Sequence, residues 1–150
     1  MRAYNVNLSA VSLTAAATTI WEISAGTQKL AIILRSWLSQ QSNTTSAQQG
    51  VQIARQSTNG TNVTSPVATP GDISDTAITA AVRGLCTAQG TIGAILYPDS
   101  FNWQNGWLYL PVPEERITVS GATTTSTGLR TLTTPPALTI NSGCDVLEIG

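Results

Sequence analysis

The segment 29–40 carries apolar side chains at both parities of an extended chain. Leu30, Ile32, Leu34 and Leu38 fall on one face, and Ala31, Ile33 and Trp37 on the other, beside Arg35. A strand of this kind needs cover on both faces and belongs in the middle of a layered β structure. Helix is the competing reading of a short apolar run. The β-branched residues, and the turn Ala25-Gly26-Thr27-Gln28 just before the segment, decide for strand.

The rest of the chain repeats this theme in shorter pieces. Tyr4, Val6 and Leu8 alternate with Asn5, Asn7 and Ser9, as in a half-buried strand or an extended N-terminal arm over residues 1–10. Further strands are predicted over 18–24, 50–56, 76–87, 91–96, 107–110, 116–119, 129–133, 137–140 and 144–149. Asn141-Ser142-Gly143 and Pro135-Pro136 act as breakers between the last three. Residues 41–49 read as a polar loop and 121–128 as a Thr/Ser-rich tip. Residues 57–75 form a long loop, of a length that is uncommon in compact domains unless it has a task. No stretch sustains a helical period. The expectation is one all-β domain over residues 1–150, a β-sandwich or jelly-roll-like barrel of short antiparallel strands.

Charge narrows the function. Only 10% of residues are charged, against a usual ~25%. The net charge of −1, with the basic residues scattered, argues against a nucleic-acid partner. No apolar run reaches membrane-spanning length, and the amino-terminal residues lack a signal-peptide pattern, so the expectation is no membrane partner and synthesis in a cytoplasm. Histidine is absent. Serine–histidine and cysteine–histidine catalysis are therefore excluded, as is the usual zinc site. Cys86 and Cys144 read as small core hydrophobes, with a pairing between them left open. Asp72-Ile-Ser-Asp75 reads as a turn rather than a cation loop, because two carboxylates alone are weak ligands for calcium. Adjacent Glu114 and Glu115 on a strand would point to opposite faces and could not flank one bond. The expectation is a non-enzyme with no catalytic residues, metal or cofactor.

Candidate interface residues remain. The stretch from Phe101 to Val119 holds two of the four tryptophans and the only phenylalanine. Trp103, Trp107 and Tyr109 suit a core, a protein contact or a sugar-stacking platform. Glu114, Glu115 and Arg116 are expected to form a local or intersubunit ion pair, next to a proline corner over 111–113. Tyr4, Val6 and Leu8 join the set as parts of the arm.

Gly106-Trp-Leu-Tyr-Leu-Pro-Val-Pro-Glu-Glu-Arg-Ile-Thr-Val119, preceded by Phe101-Asn102, is similar to a segment found in a family of small structural proteins of tailed bacteriophages. The resemblance extends to Tyr4-Asn-Val-Asn-Leu8, Ile20-Trp-Glu-Ile23, Thr69-Pro-Gly-Asp72 and the terminal Leu147-Glu-Ile-Gly150. In size and architecture the group resembles capsid decoration, or cement, proteins. The resemblance implies a virion location on the capsid exterior, the major capsid protein as partner, and self-association, commonly as a homotrimer. A tail or head-fibre base module and a carbohydrate-binding β-sandwich are the alternatives.

Overall fold

Strand β3 (Leu30–Gln40) lies inside a sheet. On one side it pairs with β11 (Leu138–Ile149). On the other it pairs with β8 (Trp107–Tyr109) and β9 (Ile117–Val119), which lie end to end along it. β1 (Arg2–Leu13) and β5 (Val67–Pro70) complete this sheet in the order β5-β1-β11-β3-β8. The second sheet has the order β6-β2-β10-β4-β7, with β2 (Thr19–Ser24), β4 (Gln48–Gln56), β6 (Ala81–Cys86), β7 (Ile92–Asn102) and β10 (Ser126–Thr131). The computed structural model describes residues 1–14, 19–41, 46–119 and 122–150. Part of the loop expected over 41–49, part of the tip expected over 121–128, and residue 18 of the second predicted strand lie outside them.

Every strand pair is antiparallel, and the two sheets pack face to face as an open sandwich. The all-β sandwich is as expected; the described strands form no closed barrel. Trp21, Ile23, Ile53 and Leu129 from the second sheet meet Val6, Ile33, Leu38, Ile140 and Val146 from the first. Alternating strands with one apolar face bury that face against the opposite sheet and leave polar side chains outside.

β3 is covered on one face only, contrary to its two-faced pattern. Leu34 is an inserted residue, because Arg35 pairs with Asp145 while Ile33 pairs with Val146. This bulge switches parity. Ala31 and Ile33 point inward before it, and Ser36 and Leu38 after it. Ser36 tolerates the core because its hydroxyl donates to the Gly143 carbonyl at 2.9 Å. Ile32, Leu34 and Trp37 are left half-buried on the outer surface.

The breaker triplet Asn141-Ser142-Gly143 breaks nothing, since β11 runs through it. Each residue has a task. Asn141 Oδ1 accepts the Ala10 N–H at 2.8 Å, where β1 bulges and Ala10 takes a φ of 54°. The Ser142 hydroxyl donates to the Trp37 carbonyl at 2.8 Å. Gly143 lies under the Trp37 ring, where a Cβ would stand 2.7 Å from Cζ2 and 2.3 Å from the Val6 carbonyl oxygen. Arg35 sits over the same ring at 5.2 Å.

Residues 1–10 are not an arm. β1 is hydrogen-bonded on both sides, to β11 and β5, and Tyr4, Val6 and Leu8 are buried. A strand laddered to β11 along its length, paired to β5 over Tyr4 to Asn7 and buried on one face cannot leave its sheet cheaply. Residues 57–75 are anchored as well. Thr61, Val63 and Thr64 donate backbone bonds to Ala88 and Gly84 beside the second sheet. The chain then joins the first sheet as β5, and Gly71 N donates to the Ala3 carbonyl at 2.8 Å. Asp72 to Asp75 is a turn: Asp72 Oδ1 accepts the Ser74 amide and hydroxyl, which holds its carboxyl below the usual range. Asp75 then faces Arg2 at 3.8 Å. The buried Glu148 carboxylate accepts the Thr79 and Ala80 amides at 3.0 and 3.1 Å, tying the next segment to β11.

Candidate interface

β7 is an edge strand that pairs only with β4. Gly93 and Leu96 are inserted residues relative to β4, so two bulges interrupt its alternation. From Ile92 to Ser100 both parities open to solvent, and Leu96 alone is half-buried. Ile92, Ile95 and Tyr97 are 41%, 56% and 37% exposed. In most other strands one parity is buried. Pro98 fits this place, because an edge strand can spare one N–H.

The chain then turns into the core. Phe101 and Trp103 are buried and meet edge to face at 4.8 Å. Asn102 shapes the turn, accepting the Gln104 amide on its side chain and the Asn105 amide on its carbonyl. Gly106 completes it at φ +69°, which glycine adopts without strain. The chain enters the first sheet as β8, with Trp107 and Tyr109 facing in. Trp107 Nε1 donates to Asp99 on β7 at 2.9 Å. Tyr97 meets Tyr109 edge to face at 4.9 Å. The Tyr109 hydroxyl donates to the Glu115 carbonyl at 3.0 Å, and burial, then the Glu115 charge, push this phenol's pKa up. The aromatic stretch therefore closes one corner between the sheets.

That closure is incomplete. Further along the same edge, where Ala94 pairs with Arg55 and Val119 with Ala31, a cleft of about 290 Å³ opens, lined by Arg55, Ser57, Gly93, Ala94, Val119 and Thr127, among others. Arg55 is exposed and enters no ion pair among the described residues. On the other side of the corner, Leu108, Leu110 and Val112 are exposed. Glu114 and Glu115 follow on a 3-10 turn (Pro113–Glu115) and not on a strand. They and Arg116 are exposed, and the expected ion pair among them is not formed. A three-residue turn at a proline keeps side chains facing solvent, where holding two of them together gains little.

The expected interface residues thus divide. Tyr4, Val6, Leu8, Trp103, Trp107 and Tyr109 are core, and present no open ring face to a partner or a sugar. Glu114, Glu115 and Arg116 are on the surface. Sequence reading missed the open character of β7. The signal was Pro98, together with the failure of Ile92, Ile95 and Tyr97 to hold a period of two.

Cys86 and Cys144 are free and buried. They lie on β6 and β11, in different sheets, and do not pair. No cluster of metal-ligating side chains occurs among the described residues, and no described helix is long and apolar enough to cross a membrane. Burial, and then the Glu22 carboxylate, push the Cys86 thiol up to about 12. Burial likewise raises Cys144. In the unfolded chain such a thiol ionises near 9, so over pH 9–12 the unfolded state releases protons that the native state keeps. Stability is therefore full below pH 9 and falls as pH rises towards 12. The raised Tyr109 phenol acts in the same direction. The urea midpoint should drop clearly between about pH 8 and about pH 10.5, and the native thiols should stay silent to a thiol reagent at pH 8. A flat midpoint over that range would refute the assignment.

Comparison with protein-family models, with curated proteins and with solved structures gave no match.

Proposed function

We propose that this chain is a virion structural protein of a tailed bacteriophage, a decoration protein that binds the outer surface of the head and clamps junctions between major capsid protein subunits. The observation that carries this reading is the β7–β8 side of the sandwich. It exposes Ile92, Ile95, Tyr97, Leu108, Leu110 and Val112, and nothing else in the described chain covers them. Large exposed apolar patches mark contact sites, and a subunit held in an assembly needs them for its neighbours, whether copies of itself or capsid subunits. The resemblance carried by Gly106 to Val119 supplies the setting, and that segment contributes Leu108, Leu110 and Val112 to the patch.

The physics of a capsid clamp suits such a surface. A stable contact buries ~800 Å² per partner, and linked copies add avidity without a new type of contact. A homotrimer would bring three capsid-binding faces to one lattice junction. Sparse charge suits a surface that spends its life against other subunits, because few ions must be stripped of water. The reading contains no reaction chemistry, cofactor, nucleic acid or membrane.

Purified protein mixed with expanded heads and with compact proheads tests it. Saturable, stoichiometric binding to expanded heads and none to proheads is expected. Absence of binding to expanded heads would refute it. Hundreds of copies in each particle mean decoration, whereas a handful would move the chain to a tail or head-fibre base.

A further inference from the structure

We propose that the open β7 side of the sandwich docks a second copy of this chain, with Arg55 of one copy taking Glu114 or Glu115 of the next. The proposal rests on the reading of the chain as one that assembles with itself, and it does not depend on the capsid.

The charge inventory points to this pairing. Arg2, Arg35 and Arg83 face Asp75, Asp145 and Glu22. Glu148 is held by Thr79 and Ala80, Asp99 by Trp107, and Asp72 by Ser74. Arg130 donates to Gln56 and to the Gly90 carbonyl. Arg55, Glu114, Glu115 and Arg116 remain without such partners among the described residues, as does Lys29, two residues before Ala31, which pairs with Val119 of the cleft wall. Arg55 lines a cleft whose other walls are apolar Ala94 and Val119 and hydroxyl-bearing Ser57 and Thr127. Glu114 and Glu115 stand on an exposed turn, with Leu110 and Val112 as apolar shoulders. A carboxylate-tipped, apolar-flanked turn is the complement of a cleft with one arginine and apolar walls.

The two halves do not meet within one copy. The turn lies before β9, and Val119, at the other end of β9, enters the cleft wall. The three residues of β9 separate cleft from turn, and each copy uses both. A reciprocal contact gives a two-fold dimer, and a head-to-tail one gives a ring if the rotation closes and a filament if it does not. Ile92, Ile95 and Tyr97 beside the cleft would pack against the neighbour's Leu110 and Val112. β7 carries no lysine or arginine to repel a neighbour, the usual guard of an exposed edge. Pro98 and the two bulges work against plain strand addition, so side chains carry the contact.

Light scattering on a sizing column tests the pairing with wild type, Arg55→Glu, the double variant Glu114→Arg/Glu115→Arg, and all three changes together. Wild type should run at a multiple of the 15.7 kDa protomer mass. Either charge reversal should weaken association on the order of a hundredfold and give the single-protomer mass at the same concentration. The combined variant should recover the assembly. All three residues are exposed, so the variants should melt like wild type. Ile95→Lys, which leaves every charge in place, should also dissociate the assembly. The proposal is overturned if wild type runs as one protomer, if a reversal leaves the mass unchanged, or if the combined variant stays dissociated. A single protomer that still saturates expanded heads would sink this contact and leave the decoration reading standing. An assembly that ignores heads would do the opposite.

Discussion

Replacing Glu22 by alanine should cost about 3–5 kcal/mol of folding stability, the range for breaking a buried charge pair from one side. Glu22 is fully buried although it points away from the sandwich core, because the stretch around Gly60 lies over it. Its carboxylate accepts Gln56 Nε2 at 2.6 Å and the Gly60 amide at 3.0 and 3.1 Å, and it faces Arg83 at 3.4 Å. Gln56 also donates to Ser126 at 2.9 Å and accepts Arg130 at 3.1 Å. The cluster therefore joins β2, β4, β6 and β10 to the covering loop. Alanine would leave the Gly60 amide with no acceptor and take one acceptor each from Gln56, which keeps Ser126, and from Arg83, which keeps Ser24, and a buried donor that loses its acceptor is costly. Gly60 has no room to adjust, since a Cβ there would stand 2.9 Å from the Ala88 carbonyl oxygen. Glu22→Gln keeps the shape but turns a donor towards donors, so it should fall between wild type and Glu22→Ala. Urea unfolding gives the loss, and hydrogen exchange at residues 60–64 should show the loop opening first. A loss below about 1 kcal/mol would mean that the network satisfies polar groups without holding the sheet.

Trp103→Ala should be comparably severe, at about 3–5 kcal/mol. Trp103 is fully buried where the chain leaves the second sheet for the first. Its amide donates to Ala47 at 3.1 Å, and Phe101 packs edge-on against its ring. Truncation opens a cavity at the one crossing that positions Trp107 and Tyr109. The indole N–H has no hydrogen-bond partner within the described protein. Trp103→Phe therefore loses volume but no hydrogen bond, and should cost only about 1–2 kcal/mol. Trp107→Phe gives up a real bond to Asp99, but that carboxylate is exposed and water replaces the partner. The expected order of loss is Trp103→Ala far above both phenylalanine variants. Equal losses for Trp103→Ala and Trp103→Phe would show that the ring fills no closed space.

Much of the strand pattern was legible in the sequence. The predicted strands over 29–40, 50–56, 107–110 and 116–119 lie within a residue or two of β3, β4, β8 and β9. The turn over Ala25 to Gln28 was legible, and the Lys29 amide closes it by donating to the Gly26 carbonyl at 3.0 Å, although Gln28 and not the glycine takes the positive φ. Asn141-Ser142-Gly143 misled, since residues that favour turns in isolation here serve a neighbouring bulge, a carbonyl and a tryptophan ring. Glu22 carried no sign of its burial. Its neighbours Trp21 and Ile23 marked it as an outward residue, and only the loop from a distant part of the chain covers it.

Local chemistry determined what this chain can be. Periodicity of two makes it all-β, the absence of histidine removes the commonest acid–base chemistry, and the aromatic stretch from Phe101 to Tyr109 marks a structural corner. Tertiary structure alone decided which faces are covered. A bulge at Leu34 turned a two-faced strand into a one-faced one, ladders on both sides turned an apparent arm into an interior strand, and an incomplete corner left β7 open beside Arg55. The physical reason is that periodicity is a property of neighbouring residues, whereas register and cover depend on the strand or loop that arrives from elsewhere in the chain.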